Sequence, residues 1–172
     1  MRNWTADRTL QTLLALSTVL LAVVLWDTMR DKNVYVGDIA PDFEVRTDSG
    51  FTLARSNYGG KVLVLNFWAT WCPPCVQEVP MLQAIHEQFK DAGVVVLGVS
   101  VDKNEAKYKE FLRRFGVGYQ TSRDPQGKVG DIYGTYKYPE TYVIDPNGKV
   151  VQKIIGAEWT TESLARFIKS LL

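Results

Sequence analysis

Two valine-rich apolar runs set narrow limits on the architecture of this chain. They are Lys61–Trp68 (KVLVLNFW) and Val94–Val101 (VVVLGVSV). Neither run alternates apolar with polar residues, and such near-continuous runs are typical of strands covered on both faces of a parallel sheet. Between them, after Cys75, apolar residues recur every three or four positions, which predicts a helix. We therefore expect a pair of central parallel strands with a helix between them.

Shorter patterns complete the predicted domain. Hairpins are predicted for Phe43–Arg46 with Phe51–Ala54 and for Thr141–Asp145 with Lys149–Ile155, because turn residues separate each pair. Asp102 and Glu105 resemble a capping box, and the helix that follows should end at Gly116. A last helix is predicted from an apolar stripe formed by Leu164, Phe167, Ile168 and Leu171. The predicted class is α/β, with a mixed central sheet flanked by helices and an added N-terminal β-hairpin.

An uncharged apolar segment, Leu10–Trp26, precedes this domain. As a helix, its 17 residues would span about 26 Å, near the lower limit for a bilayer core. A cleaved signal peptide would need a small-x-small site, which is absent after the segment, and a buried core helix would not be apolar on nearly all faces. We expect an uncleaved signal anchor, with a short cytoplasmic N-terminus (1–9), a transmembrane helix (10–26), a linker (27–37) and a domain (38–172). Short N-terminal anchors usually place such a domain outside the cytoplasm.

Composition excludes several function classes. The 20 Lys and Arg residues nearly balance the 19 Asp and Glu residues, so there is no basic excess for nucleic-acid binding. The only two cysteines, Cys72 and Cys75, enclose Pro73 and Pro74, and closing so short a loop stabilises a fold little. Structural zinc usually takes four Cys or His ligands, and this chain has too few of them. Covalent haem attachment needs a histidine directly after the second cysteine, where this chain has Val76. We expect no metal and no cofactor.

The position of the two cysteines predicts redox chemistry. They follow a predicted strand and open a predicted helix, whose unpaired N–H groups and positive dipole end stabilise a thiolate. Cys72, at the exposed helix start, is therefore the predicted attacking thiol with a lowered pKa, and Cys75 is the predicted resolving thiol. Pro73 and Pro74 fall in the first turn, where a missing N–H costs little.

Two other titratable residues lie on this predicted helix. Glu78 follows Cys75 by three residues, so a partly buried carboxylate there would exchange a proton with Cys75. The alternative for Glu78 is a solvated helix glutamate, and the spacing alone does not separate the two. His86 is interpreted as an ordinary polar helix position.

The sequence closely resembles the thioredoxin superfamily, in particular its TlpA/ResA-like membrane-anchored branch and the related cytochrome c maturation thioredoxins. The matching motifs are Ala40-Pro41-Asp42-Phe43, Gly59-Gly60-Lys61, Asn66-Phe67-Trp68-Ala69-Thr70-Trp71-Cys72-Pro73-Pro74-Cys75, Glu78, Pro80 and Tyr138-Pro139-Glu140-Thr141. The resemblance implies a redox disulfide between Cys72 and Cys75 and an active-site role for Glu78. It implies a cis peptide at Pro139, and it places Asn66 where other thioredoxins carry a buried aspartate. The substrate groove is expected to include Trp71, Pro73, Pro74, Tyr138 and Pro139.

The resemblance also implies the activity. We expect a thiol–disulfide oxidoreductase, and more specifically a reductase, in the inner membrane with its catalytic domain on the periplasmic side. Its substrates would be extracytoplasmic protein disulfides, including apocytochrome c, and a membrane thiol reductase would supply its electrons. One alternative is a net disulfide oxidant. Another is a peroxiredoxin-like peroxidase, although Ala69 and Leu65 stand where its motif has threonine and proline. An alternative of another class is a non-catalytic docking domain with a structural disulfide.

Overall fold

The computed structural model describes residues 4–29 and 33–172, which belong to two separate units. Helix α1 (Trp4–Met29) belongs to the first unit. Its Arg8–Trp26 stretch has a mean hydropathy of 2.0 and is long and apolar enough to cross a membrane. The predicted segment 10–26 lies inside this longer helix, while part of the predicted linker, residues 30–32, lies outside the described residues.

A five-stranded sheet in the order β5-β4-β3-β6-β7 organises the second unit. The strands are β3 (Val62–Trp68), β4 (Val94–Ser100), β5 (Gln120–Arg123), β6 (Glu140–Ile144) and β7 (Val150–Ile155). β3 runs parallel to β4 and antiparallel to β6, and all seven of its residues are buried. This confirms the predicted central strands, whose valine-rich sequence suits burial on both faces. The second predicted hairpin is formed by β6 and β7.

Helices and a small second sheet surround these strands. The small sheet consists of β1 (Glu44–Arg46) and β2 (Thr52–Ala54), which confirms the first predicted hairpin. The remaining elements are a 3-10 turn (Arg55–Tyr58), α2 (Pro73–Phe89), α3 (Glu105–Phe115), α4 (Lys128–Tyr133) and α5 (Thr161–Lys169). The apolar stripes of α2 and α5 meet one face of the sheet, as their spacing predicted. The sequence analysis missed β5, α4 and the 3-10 turn.

The predicted capping box before α3 is wrong. The helix begins after Asn104, whose side chain accepts a hydrogen bond from the Lys107 N–H (3.0 Å). Asp102 is buried two residues earlier, and its carboxylate is engaged by other donors. The predicted end of the helix is confirmed, because Gly116 has the left-handed conformation (φ 60°) that favours glycine.

The folded unit extends into the predicted linker. Val34 is buried in the core on one face of the sheet, and its N–H donates to the Tyr133 carbonyl. Lys153 also donates to the Val34 carbonyl. The polar residues around Val34 suggested a linker, but this one apolar side chain and its backbone bonds hold the segment on the domain.

Candidate active site

The two cysteines lie where β3 gives way to α2. Cys72 is the N-cap of α2, and its Sγ accepts a hydrogen bond from the Cys75 N–H (3.3 Å). Pro73 and Pro74 occupy the first two helical positions, where no N–H is required. A disulfide joins Cys72 and Cys75, whose Cα atoms are 5.3 Å apart. Cys72 is thus held where helix-end N–H groups favour negative charge.

The disulfide is more enclosed than the sequence suggested. Cys72 is 5% exposed and Cys75 is 2% exposed, which corrects the prediction of an exposed helix start. The two cysteines pack in an apolar cluster with residues from β3 and α3, including Trp68, Tyr108 and Phe111. Because aromatic side chains from separate elements converge on the disulfide, helix position alone could not reveal this burial.

Asp102 anchors the loop that leads into Cys72. Its carboxylate accepts hydrogen bonds from the Thr70 N–H (2.8 Å) and from the Thr70 hydroxyl (2.7 Å). The Ser100 hydroxyl donates a third bond to it (2.6 Å). Asp102 is 3% exposed, so these donors satisfy a carboxylate that water hardly reaches. The sequence analysis missed this role, although a polar residue at the end of a buried parallel strand was an available signal.

Glu78 is a buried carboxyl group on α2. It is 4% exposed, and its Oε2 accepts a hydrogen bond from Asn66 Nδ2 (3.2 Å). Burial raises the pKa of Glu78 to about 7, although the hydrogen bond from Asn66 acts in the opposite direction. Within residues 4–29 and 33–172, no Lys, Arg or His forms a salt bridge with Glu78. Of the two environments considered from the sequence, Glu78 therefore occupies the buried one.

Aromatic and proline residues form the surface beside the disulfide. Trp71 is 65% exposed, and its ring meets that of half-buried Tyr138 edge to face, with centroids 6.1 Å apart. The Tyr138–Pro139 peptide is cis, as the resemblance implied, and Pro139 is buried. Pro73 is exposed and Pro74 is half-buried at the start of α2. The predicted groove residues thus come from the start of α2, the loop before it and the segment before β6.

The described residues contain no cluster of three His, Cys, Asp or Glu side chains that could hold a metal ion. His86 lies in the last turn of α2, whereas the disulfide lies at the first.

Comparisons with known proteins agree on one family. Residues 36–153 match the sequence pattern of the AhpC/TSA family. The chain is 36% identical over 151 residues to the thiol-disulfide oxidoreductase ResA of Oceanobacillus iheyensis, covering 84% of this chain and 78% of that protein. It is 37% identical over 138 residues to ResA of Geobacillus kaustophilus, covering 80% and 79% of the two chains.

Solved structures show the same fold. The exposed lipoprotein thioredoxin Etrx1 of Streptococcus pneumoniae strain TIGR4 is 31% identical, with a TM-score of 0.67 over 76% of this chain and 100% of that one. A thioredoxin-family thiol:disulfide interchange protein of Chlorobium tepidum TLS is 26% identical, with a TM-score of 0.69 over 80% and 98% of the two chains. The predicted thioredoxin fold is confirmed.

Proposed function

The chain belongs to the AhpC/TSA family and is a thiol–disulfide oxidoreductase, and we propose that it reduces protein disulfides outside the cytoplasm through Cys72 and Cys75. The observation that carries this proposal is the Cys72–Cys75 disulfide at the first turn of α2, with Cys72 as the N-cap. A sulfur in that position is a good nucleophile and a good leaving group, because the helix end stabilises its thiolate.

The reaction proceeds in two exchanges. The Cys72 thiolate attacks one sulfur of a substrate disulfide, forms a mixed disulfide and releases the other substrate sulfur as a thiolate, which takes up a proton. The Cys75 thiol then loses its proton and attacks Cys72, which forms the internal disulfide and releases the second substrate thiol. The substrate gains two electrons and two protons, and the enzyme dithiol loses them.

Glu78 is proposed as the group that receives the proton of Cys75. It follows Cys75 by three residues on α2, a spacing that makes the two side chains neighbours on a helix surface. A carboxyl group with a pKa of about 7 is present in both protonation states near neutral pH. Such a group both accepts and returns a proton efficiently.

Trp71, Pro73, Pro74, Tyr138 and Pro139 are proposed to line the substrate groove. The edge-to-face pair of Trp71 and Tyr138 presents aromatic surface beside the disulfide. Tyr136, two residues before Tyr138 in the segment before β6, is 64% exposed. The proposed substrates are extracytoplasmic protein disulfides, with apocytochrome c as one candidate.

Helix α1 is proposed to anchor the enzyme in the inner membrane, with the second unit on the periplasmic side. Residues 10–26 of this helix carry side-chain hydroxyls at Thr12, Ser17 and Thr18, and each donates to a carbonyl three residues earlier. These polar groups are therefore satisfied within the helix, as a lipid environment requires. A membrane thiol reductase is the proposed source of electrons for Cys72–Cys75. Alkaline phosphatase fused after residue 172 should be active; activity only in a cytoplasmic reporter fusion would contradict this orientation.

Insulin reduction and substrate trapping test the proposed roles of the cysteines. Cys72→Ser should abolish reduction, whereas Cys75→Ser should accumulate mixed disulfides that only a reductant releases. Absence of insulin reduction in the wild type, with none lost in Cys72→Ser, would favour the docking domain. An empty Cys75→Ser trap would contradict the assigned order of attack.

The direction of electron flow needs its own measurement. A reduction potential below about −220 mV would support a reductase, and a value near −120 mV would support a net oxidant. The peroxidase alternative predicts peroxide consumption that survives Cys75→Ser. Ala69, the residue at the threonine position of the peroxidase motif, is a buried apolar side chain that offers no hydroxyl to a peroxide.

A further inference from the structure

Asn66 is a buried amide in the middle of the central strand. It lies in β3, is 1% exposed, and is otherwise surrounded along the strand by apolar residues. Its Nδ2 donates two hydrogen bonds, to Glu78 Oε2 (3.2 Å) and to Thr141 Oγ1 (2.9 Å). An amide nitrogen carries two hydrogens, so both of its donors are used.

Thr141 binds the second N–H of this amide. It lies directly opposite Asn66 in the antiparallel pairing of β3 and β6, and it is 3% exposed. The NH₂ group rather than the carbonyl of Asn66 faces Glu78, because an ionised carboxylate only accepts hydrogen bonds, and the Thr141 hydroxyl oxygen accepts the other N–H. A continuous polar chain therefore connects α2, which carries Cys75, with β6, which begins one residue after Pro139.

We propose that Asn66 is a positioning residue: with one N–H held by Thr141, its amide holds the Glu78 carboxylate and sets the pH at which this group gains and loses its proton. Its consequence for catalysis rests on the proposed function, namely the proton transfer between Glu78 and Cys75. It assigns a function to Asn66 and Thr141, neither of which contacts substrate in this scheme.

The physical basis is a neutral donor that faces a buried carboxyl group. An N–H donor stabilises the ionised carboxylate, whereas burial disfavours it. The other titratable groups here are Tyr119, whose pKa is raised mainly by burial and further by the charge of Glu78, and the cysteines one turn earlier on α2. In the oxidised protein the cysteines do not titrate. Since no cation pairs with Glu78 in the described part of the chain, Asn66 is its principal stabilising partner.

A carbon-13 NMR titration of the Glu78 side chain in the oxidised full-length protein tests this directly. Asn66→Leu removes the donor at similar volume, and the Glu78 midpoint should rise by about one pH unit, as expected for one lost hydrogen bond to a charged group. Thr141→Val keeps the shape but frees the amide to turn, so a smaller rise is expected. Thr121→Val, which alters a buried threonine of β5 that donates to Asp48, should leave the midpoint unchanged.

A midpoint that stays or falls in Asn66→Leu would overturn the proposal. If Asn66→Leu does not fold, the direction of the Glu78 midpoint shift in Thr141→Val decides instead: a rise supports the proposal, and no rise overturns it. The pH profile of exchange separates this inference from the proposed function. Two results together support both the proton-transfer role of Glu78 and the positioning role of Asn66. Glu78→Gln removes the inflection from the pH profile, and Asn66→Leu moves the inflection to higher pH, a shift that is absent in the double variant. A pH profile that Glu78→Gln does not change would contradict only the proton-transfer role of Glu78. The NMR midpoint would still test the positioning role of Asn66.

Discussion

The Glu78 carboxyl links the site to the stability of the domain. Its pKa is raised by burial from an ordinary value of 4.5 to about 7. Below pH 4.5 both the folded and the unfolded chain hold this proton, so the shift has no effect on stability. Between pH 4.5 and 7 the unfolded chain releases the proton while the folded chain keeps it, so rising pH favours unfolding.

Glu78→Gln should remove this dependence. We expect the free energy of unfolding of the oxidised wild type, minus that of the variant, to decrease by about 3 kcal/mol between pH 4 and pH 8. Urea denaturation at both pH values measures it. Glu87→Gln is the matched control, because this glutamate of the same helix is exposed and its pKa is lowered by its bond with Lys90. A pH-independent difference for Glu78→Gln would contradict the buried, ionisable environment.

A second prediction at the scale of single residues concerns the hydrogen bonds that Asp102 accepts. Asp102→Ala leaves the Thr70 N–H, the Thr70 hydroxyl and the Ser100 hydroxyl without their acceptor, and should destabilise the domain by about 3 kcal/mol. Thr70→Val removes only the side-chain bond and should cost about 1 kcal/mol. Lys103→Ala, an exposed neighbour, should have little effect in the same denaturation experiment. Equal stability of Asp102→Ala and Lys103→Ala would show that the loop does not depend on this carboxylate.

Gly98 lies in β4, close to the apolar cluster that contains Trp68 and the two cysteines. A Cβ atom at Gly98 would lie 2.9 Å from Trp68 Nε1 and 3.2 Å from Tyr119 Cε2. The backbone conformation of Gly98 is not one that excludes side chains, so contact alone explains the need for glycine. β4 can therefore approach the ring of Trp68 closely, and Trp68 belongs to the same apolar cluster as both cysteines.

Gly98→Ala should destabilise the domain by about 1–3 kcal/mol, because the Trp68 and Tyr119 rings must shift to admit a methyl group. Thermal unfolding followed by tryptophan fluorescence measures the loss. Gly130→Ala in α4 is the control: its nearest contact is an ordinary 3.7 Å, and alanine should stabilise that helix slightly. If both substitutions are equally tolerated, the close approach at Gly98 is not limiting.

The chain as a whole consists of an apolar helix and an independent redox domain. Residues 33–172 contain the sheet, the disulfide and every contact described for the site, while the Arg8–Trp26 stretch of α1 is not buried in the structure. We expect a fragment of residues 33–172 to stay in solution and to reduce insulin at the rate of the full chain. Loss of activity in a folded fragment would contradict this division.

The full chain should instead remain in membranes after alkaline carbonate extraction. Leu16→Arg together with Leu20→Arg places two charges near the middle of the apolar stretch, at a cost of about 3 kcal/mol each in a bilayer. The double variant should therefore be released while its redox domain stays active. Retention equal to that of the wild type would indicate that α1 does not anchor the protein.

Local sequence patterns were sufficient for much of the architecture. The continuous apolar runs predicted β3 and β4, and helical spacing predicted α2, because burial on two faces or on one stripe leaves a direct trace in residue order. Cys72 and Cys75 were identified for the same reason: strand, cysteine pair and helix are contiguous. The short elements β5 and α4 were missed because four to six residues are too few to show a period.

Tertiary packing determined the features of the site that patterns of contiguous residues could not reveal. The enclosure of the disulfide depends on Tyr108 and Phe111, more than thirty positions along the chain, and the anchoring of Thr70 depends on Asp102 at the end of a neighbouring strand. Glu78 was a candidate from its spacing, but its burial and its bond to Asn66 arise only when α2 packs on the sheet. Desolvation and hydrogen bonding act over a few ångströms of space, so the properties that they set emerge only once the chain has folded.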